Sequence, residues 1–274
     1  MRPTFLLFFT FILAWQLQAA NDPSPSVGAR AAGLGHAYHG IRADFWNLYH
    51  NPAGIAGIEQ MTAGAYVVRR FNLKELTSGS AGLVLPFLEG DHTMGLDFST
   101  FGFAAYRENR IGLSYATTLL EKASIGVKLN YASLSIPSYG SESSLYVDVG
   151  VNSKISPQLS IGFSATNVNR AKLGQDPAAE ALPTVVTLGL AYQASDRTLL
   201  VADIQKDIDH PISIRGGIEY GLNDYVIARV GVSTEPISWQ AGLGLVKDAM
   251  RIDFAFGYTD RLGYSPHISL CYDF

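Results

Sequence analysis

The chain has 274 residues, 47% of them hydrophobic and 16% charged, with 27 Gly, 14 Phe, 14 Tyr, a single Cys and a formal net charge of -4. It is too apolar for a disordered chain, and one cysteine allows neither an intramolecular disulfide nor a thiolate-rich zinc site. The slightly acidic balance offers no basic field for a phosphate backbone, so nucleic acid is not an expected partner.

Residues 1–20 predict an export signal. Arg2 supplies the positive start, Phe5 to Trp15 is apolar except for Thr10, and Gln16 to Ala20 offers a cleavage region ending in Ala19-Ala20. No Cys lies near the cut, which excludes a lipoprotein anchor there. Past residue 20 no apolar run approaches the ~18 residues of a membrane-spanning helix.

Residues 21–58 form a second region that does not alternate. Gly28-Ala29-Arg30-Ala31-Ala32-Gly33-Leu34-Gly35 is a run of small residues, and a short helix is predicted over His39–His50. Asn51-Pro52 should end it, because proline disfavours helical backbone in the residue before it. Asn51-Pro52-Ala53-Gly54 then fits a tight turn with Pro second and Gly fourth. His36, His39 and His50 share this segment, but two histidines at i, i+3 without a third oriented ligand do not make a metal site, and no metal or other cofactor is expected.

Residues 59–274 break into segments of about ten residues that alternate apolar with small or polar ones, the period of a strand. Fourteen are predicted, near 60–70, 77–86, 92–101, 109–118, 123–134, 144–153, 158–167, 184–193, 197–206, 211–220, 224–233, 237–246, 249–258 and 265–274. The polar face is mostly Gly, Ser, Asn and Thr, with isolated charges at Asp97, Lys128, Asp148, Arg215, Glu219, Arg229, Arg251 and Asp253. A soluble sandwich would carry solvated charges on that face. An exported chain with an even number of such strands and aromatic strand ends (Tyr131, Tyr192, Tyr220, Tyr258, Tyr272) instead predicts an all-β transmembrane up-and-down barrel in outer-membrane lipid.

If the first strand rises from the periplasm, the inward connections are short (119–122, 154–157, 193–196, 221–223, 247–248). The outward ones include the longest, 136–143 and 169–183, as outer-membrane barrels require. Fourteen strands enclose more room than wall side chains can fill, so residues 21–58 are expected to plug the lumen. The lumenal charges should then be paired with each other or with the plug, because an unpaired charge in a protein-filled barrel is costly. Arg251, for example, should meet an acidic group. His267 and Ser269 share a face of the last strand, but one turned to the lumen and out of reach of lipid, so no catalysis is predicted.

The last strand is the most specific piece. Ile268, Leu270, Tyr272 and Phe274 alternate and the chain stops on Phe, which resembles the C-terminal signal read by the bacterial barrel assembly machinery. Residues 28–35, then Ala43-Asp44, then Asn51-Pro52-Ala53-Gly54-Ile55-Ala56 resemble the N-terminal signature of the PorV/PorQ and FadL-like outer-membrane barrels of Bacteroidota type. That signature runs GARAxGMGGA, Ala-Asp-Asp, NPAGLA. Within it Gly28, Arg30, Gly33, Gly35, Asp44, Asn51, Pro52 and Gly54 match, while His36 stands where Gly is usual and Phe45 where a second Asp is usual. The loops are also shorter than those of fatty-acid transporters.

The resemblance implies one of two non-enzymatic roles. The first is a partner-binding subunit of an envelope secretion or assembly complex of the type IX kind, which short loops and a plug support. The alternative is a FadL-like passive channel or binder for small hydrophobic molecules. That role calls for apolar lumenal residues, such as Val185, Leu199 and Ile227, gathered near a strand kink.

Overall fold

The computed structural model describes residues 26–88, 91–119, 122–137, 140–174, 179–260 and 262–274. The expected export signal over residues 1–20 lies outside them. The wall is built from β1 (Thr62–Arg69), β2 (Thr77–Phe87), β3 (His92–Phe103), β4 (Tyr106–Leu119), β5 (Ala123–Ile136), β6 (Gly140–Lys154) and β7 (Leu159–Thr166). It continues with β8 (Val185–Ser195), β9 (Thr198–Asp207), β10 (Ile212–Gly221), β11 (Val226–Thr234), β12 (Ile237–Lys247), β13 (Met250–Thr259) and β14 (Gly263–Asp273). Each strand pairs antiparallel with its chain neighbours. β14 returns to β1, with Thr62 opposite Asp273 and Val68 opposite His267, and closes the barrel. The rim where β1 begins and β14 ends is called lower below, the opposite rim upper.

Alternation sets the two faces, and the usual relation of burial to polarity is inverted. On β4, Ile111, Leu113 and Tyr115 are exposed while the alternating Ser114 and Ala116 are fully buried. On β14, Ile268, Leu270 and Tyr272, with Phe274 after it, stand outside, and His267, Ser269 and Cys271 point in. Tyr131, Tyr192, Tyr220 and Tyr258 also lie on the outer face. A continuous apolar exterior around a polar interior belongs to a barrel whose solvent is hydrocarbon. No helix among the described residues is long and apolar enough to cross a membrane.

The upper rim differs from expectation. Of the expected loop 136–143, Ile136 and residues 140–143 are strand, because the ladder continues through Ser133–Ser143, Leu134–Glu142, Ser135–Ser141 and Ile136–Gly140. Serine-rich strand with no buried apolar side carries no period-two signal, so the pattern stops before the hydrogen bonds do. The connection after β7 is long, and it folds on itself. Lys172–Leu173 pairs with Glu180–Ala181, and the Asn167 amide donates to the carbonyls of Ala171 and Leu182.

Residues 26–58 lie inside the barrel as α1 (Ala29–Gly33), α2 (Asn47–His50) and a 3-10 turn (Pro52–Ile55). The helix expected over His39–His50 forms only in its last turn. The backbone before it is engaged by the wall: the N–H groups of Tyr38 and His39 donate to Asp203, and the carbonyls of His39 and Ile41 accept from the Asn152 amide. The bonds to the His39 and Ile41 carbonyls take acceptors that a helix over these residues would use. The Asn51 to Gly54 turn forms, with Gly54 N–H donating to Asn51 O at 2.8 Å and the Asn51 side chain accepting from Ala53 N–H.

Wall glycines make the room. A Cβ on Gly126 would collide with the Pro52–Ala53 backbone, on Gly162 with the His39 carbonyl, on Gly189 with Gly40 and Asp203, and on Gly231 with Leu34–Gly35. The lumenal face is rich in glycine because a second backbone lies against it. Gly35 combines both demands, with φ at 69° and wall carbonyls of Gly216 and Val232 at 2.6 Å from where a Cβ would stand.

Candidate functional site

The inner segment is held from several sides by polar groups that the strand alternation turns inward. Three guanidiniums and three carboxylates form one buried network against β10, β11 and β13. Arg30 pairs with Asp44 (2.6 Å) and Glu219 (2.8 Å), Arg229 with Glu219 (2.6 Å) and Asp253 (2.7 Å), and Arg251 with Asp44 (3.4 Å). Asp44 also accepts from the Tyr38 hydroxyl and Trp46 N–H. Burial alone would raise its pKa, but Arg251 and Arg30 outweigh that and hold it below the ordinary value.

On the opposite wall Lys128 bridges Asp97 and the Leu48 carbonyl, both at 2.7 Å. Asp148 accepts from Asn130 and from Asn167 N–H. Arg215 is buried and donates to Ser213 through Nε at 3.4 Å. Asp203, Asn152, Ser124 and Ser160, which the sequence reading did not single out, are equally engaged: Ser124 donates to Ala53 O and Ser160 to Gly40 O. Their signal was available, since inward alternation through Val201, Asp203, Gln205 and Asp207 marks a polar residue facing the segment.

The small-residue motif is consumed by packing. Gly33 abuts Gly242, Gly28 faces the Trp46 ring with φ at 104°, Gly54 lies against the Asn47 side chain, and Asn51 reaches the carbonyls of His39 and Val151. His39 donates through Nδ1 to Asp203, and His50 through Nε2 to Val27 O. Among the described residues no group of three or more His, Cys, Asp or Glu is placed to hold a metal. Ser269 accepts from Ala29 N–H, whereas His267 is bonded to the Tyr66 hydroxyl, so the two are not coupled as base and nucleophile.

Burial pushes the His50 pKa down to about 3 and, with Arg215 beside it, holds His36 well below 6.5. A folded value below the unfolded one means that the unfolded chain binds protons first. The stability these residues contribute is therefore complete above pH 6.5 and lost as pH falls towards the folded values. The thermal midpoint of the folded barrel, followed by its gel mobility, is expected to drop between about pH 6.5 and about pH 4.5. A flat profile over that interval would contradict this.

Two adjoining cavities occupy the upper half of the lumen. One, of about 260 Å³, is lined by Val27, Val68, Phe101, Leu182, Arg110 and Asp207; the other, of about 140 Å³, by His36, Arg70, Arg215, Ser265 and His267. They share Ser26, Tyr66, Val68, Arg70 and Phe101. A third, of about 290 Å³, opens at the lower rim between Asp44, Phe45, Thr62, Arg251 and Asp273. Val185, Leu199 and Ile227 do not gather into a pocket. Val185 starts β8 at the upper rim, while Leu199 and Ile227 lie near the lower ends of β9 and β11. The apolar lining comes instead from the inner segment, β1, β3 and the connection after β7.

No protein-family model matches the chain, and no curated protein is significantly similar in sequence. Solved structures are similar in fold. The toluene transporter TodX of Pseudomonas putida superposes with a TM-score of 0.67 at 13% identity, covering 89% of this chain and 96% of that one. The toluene transporter TbuX of Ralstonia pickettii gives 0.64 at 14%, covering 90% and 98%. A FadL homologue of Pseudomonas aeruginosa gives 0.67 at 13%, covering 91% and 99%. The likeness extends over nearly the whole of both chains in each case.

Proposed function

We propose that this chain is a non-enzymatic, FadL-like barrel of the bacterial outer membrane that binds small hydrophobic molecules and passes them inward, with residues 26–58 as its plug. The observation that carries the reading is the 260 Å³ cavity directly above the plug, where Val27, Val68, Phe101, Leu182 and Pro183 meet Arg and Ser side chains. The rest of the lining is polar or charged, including Glu108, Arg110, Glu180, Asp207 and Asp209, so a small apolar ligand would lie against the patch formed by Val27, Val68, Phe101, Leu182 and Pro183. The whole-length likeness to toluene transporters and a FadL homologue supports it.

A role as a secretion-complex subunit, the other expectation, finds no support in these comparisons. The motif that suggested it is spent inside the barrel, with Arg30 and Asp44 paired and Gly28, Gly33 and Gly54 against other atoms. In this reading residues 1–20 direct export, Ile268, Leu270, Tyr272 and Phe274 present the strand that the assembly machinery takes up, and the lower rim faces the periplasm.

The test is equilibrium retention of radiolabelled toluene by the purified barrel in liposomes. Saturable retention is expected, weakened at least tenfold by Val68→Glu, which puts a charge against the cavity. Retention no greater than that of empty liposomes, together with a stoichiometric envelope protein co-purifying in mild detergent, would restore the partner-binding role.

A further inference from the structure

The upper and lower cavities approach each other most closely along the seam between β1 and β14. Reading up that seam, the inward pairs are Thr62–Asp273, Gly64–Cys271, Tyr66–Ser269 and Val68–His267. Thr62 and Asp273 line the lower cavity, while Tyr66, Val68 and His267 line the upper ones. Four residues of strand, about 13 Å at ~3.3 Å per residue, separate Thr62 from Tyr66. The level between them carries the two small side chains Gly64 and Cys271.

One ring fills that gap. Phe45 lies against Gly64 so closely that an added Cβ would collide with it. Above it the rings continue into the upper cavity: Phe45 to Trp46 at 4.9 Å, Trp46 to Tyr66 at 6.1 Å, Tyr66 to His267 at 6.0 Å between centroids. Trp46 is fully buried, its indole N–H has no hydrogen-bond partner among the described residues, and its ring is packed against those of Phe45, Tyr49 and Tyr66. The inner segment is otherwise tied to the wall by ion pairs and hydrogen bonds, among them Ala29 N–H to Ser269 on the seam itself. The two positions at which the N-terminal motif departs from its relatives both fall on this line, His36 in the upper cavity and Phe45 at the narrow level.

We infer that the route through the plugged barrel runs down the β1–β14 seam, that Phe45 is the side chain that closes it, and that flat apolar molecules pass by displacing the Phe45, Trp46 and Tyr66 rings. This rests on the proposed conduit function and adds its path and the residue that sets passage. A ring sliding against rings exchanges like contacts at little cost, whereas a hydrated polar solute would lose its water with no partner in return.

Cys271, the chain's only cysteine, lies buried at the narrow level and serves as a reporter. The full-length barrel in detergent is treated with a small methanethiosulfonate, and labelling of Cys271 is followed by mass. Phe45→Ala is expected to label at least tenfold faster than wild type and Phe45→Val at an intermediate rate. Leu48→Ala, beside the seam but off it against Gly82 on β2 and Gly95 on β3, opens space next to the ring without unblocking the β1–β14 line and should stay within twofold of wild type. Equal labelling of Phe45→Ala and wild type, or equal acceleration by Leu48→Ala, overturns the route. Should Phe45→Ala fail to fold, Phe45→Val carries the comparison alone. Fast labelling of the Phe45 variants with no toluene retained by wild type would reject the conduit and keep the opening; retention by wild type with unchanged labelling would do the reverse.

Discussion

Arg229→Met is expected to destabilise the barrel more than any other single change to a lumenal charge. The Arg229 side chain is fully buried and bonded to Glu219 and to Asp253, itself almost fully buried. Removing it leaves two carboxylates facing each other across the site. Glu219 keeps Arg30, but Asp253 keeps only the Arg251 Nε at 3.8 Å. Loss of one partner from a buried pair costs about 3–5 kcal/mol, mostly as the penalty on the charge left behind. The unfolding free energy obtained from a urea titration of the barrel in detergent should fall by that amount, read from the mobility difference between folded and unfolded protein. The triple change Arg229→Met, Glu219→Gln, Asp253→Asn removes the stranded charges as well and should recover most of the loss. If the single variant were as stable as wild type, the network would be ornamental and the plug would be held by packing alone.

Gly162→Ala should displace the inner segment while leaving the wall able to form. One added methyl at this position of β7 collides with the His39 carbonyl and approaches the Asn51 amide to 2.9 Å. Backbone cannot rotate away as a side chain can, so the cost lies at or above the upper end of the 1–3 kcal/mol usual for overpacking. The wall itself is indifferent, because alanine is an ordinary strand residue. Trypsin added to folded protein should then cut after Arg30, which wild type shields within the ion network. Gly257→Ala is the control. Gly257 also faces the lumen, but at the upper cavity, where a Cβ meets nothing nearer than 3.6 Å, and it should remain as resistant as wild type. Equal resistance in both variants would mean that the fit between wall and segment is looser than the geometry states.

Much of the wall was legible from residues, for a physical reason. A strand between hydrocarbon and a polar interior must alternate strictly, and segments such as Met250 to Tyr258 do. The reading lost its grip where that contrast ends. Ser135, Ser141 and Ser143 continue a hydrogen-bonded ladder beyond the strands expected at 123–134 and 144–153. The inner segment was harder still, because nothing local decides its shape. His39 to Trp46 has no helix because Asp203 and Asn152, more than a hundred residues away, take its backbone groups. Lumenal glycines such as Gly126, Gly162, Gly189 and Gly231 are each the imprint of a particular contact, and only the assembled molecule says which.

The seam where β14 meets β1 is also where the inner segment is attached. Ala29 donates to Ser269 on one side of it, Phe45 rests on Gly64 on the other, and Tyr66 and His267 are bonded across it. A wall zipped shut around an empty lumen would leave Asp203 without Tyr38 and His39, Glu219 without Arg30 and Arg251 without Asp44, in surroundings where such losses are costly. Closure and loading are thus a single event in the birth of the molecule. The inner segment, made before the wall, waits for β14, which locks both together.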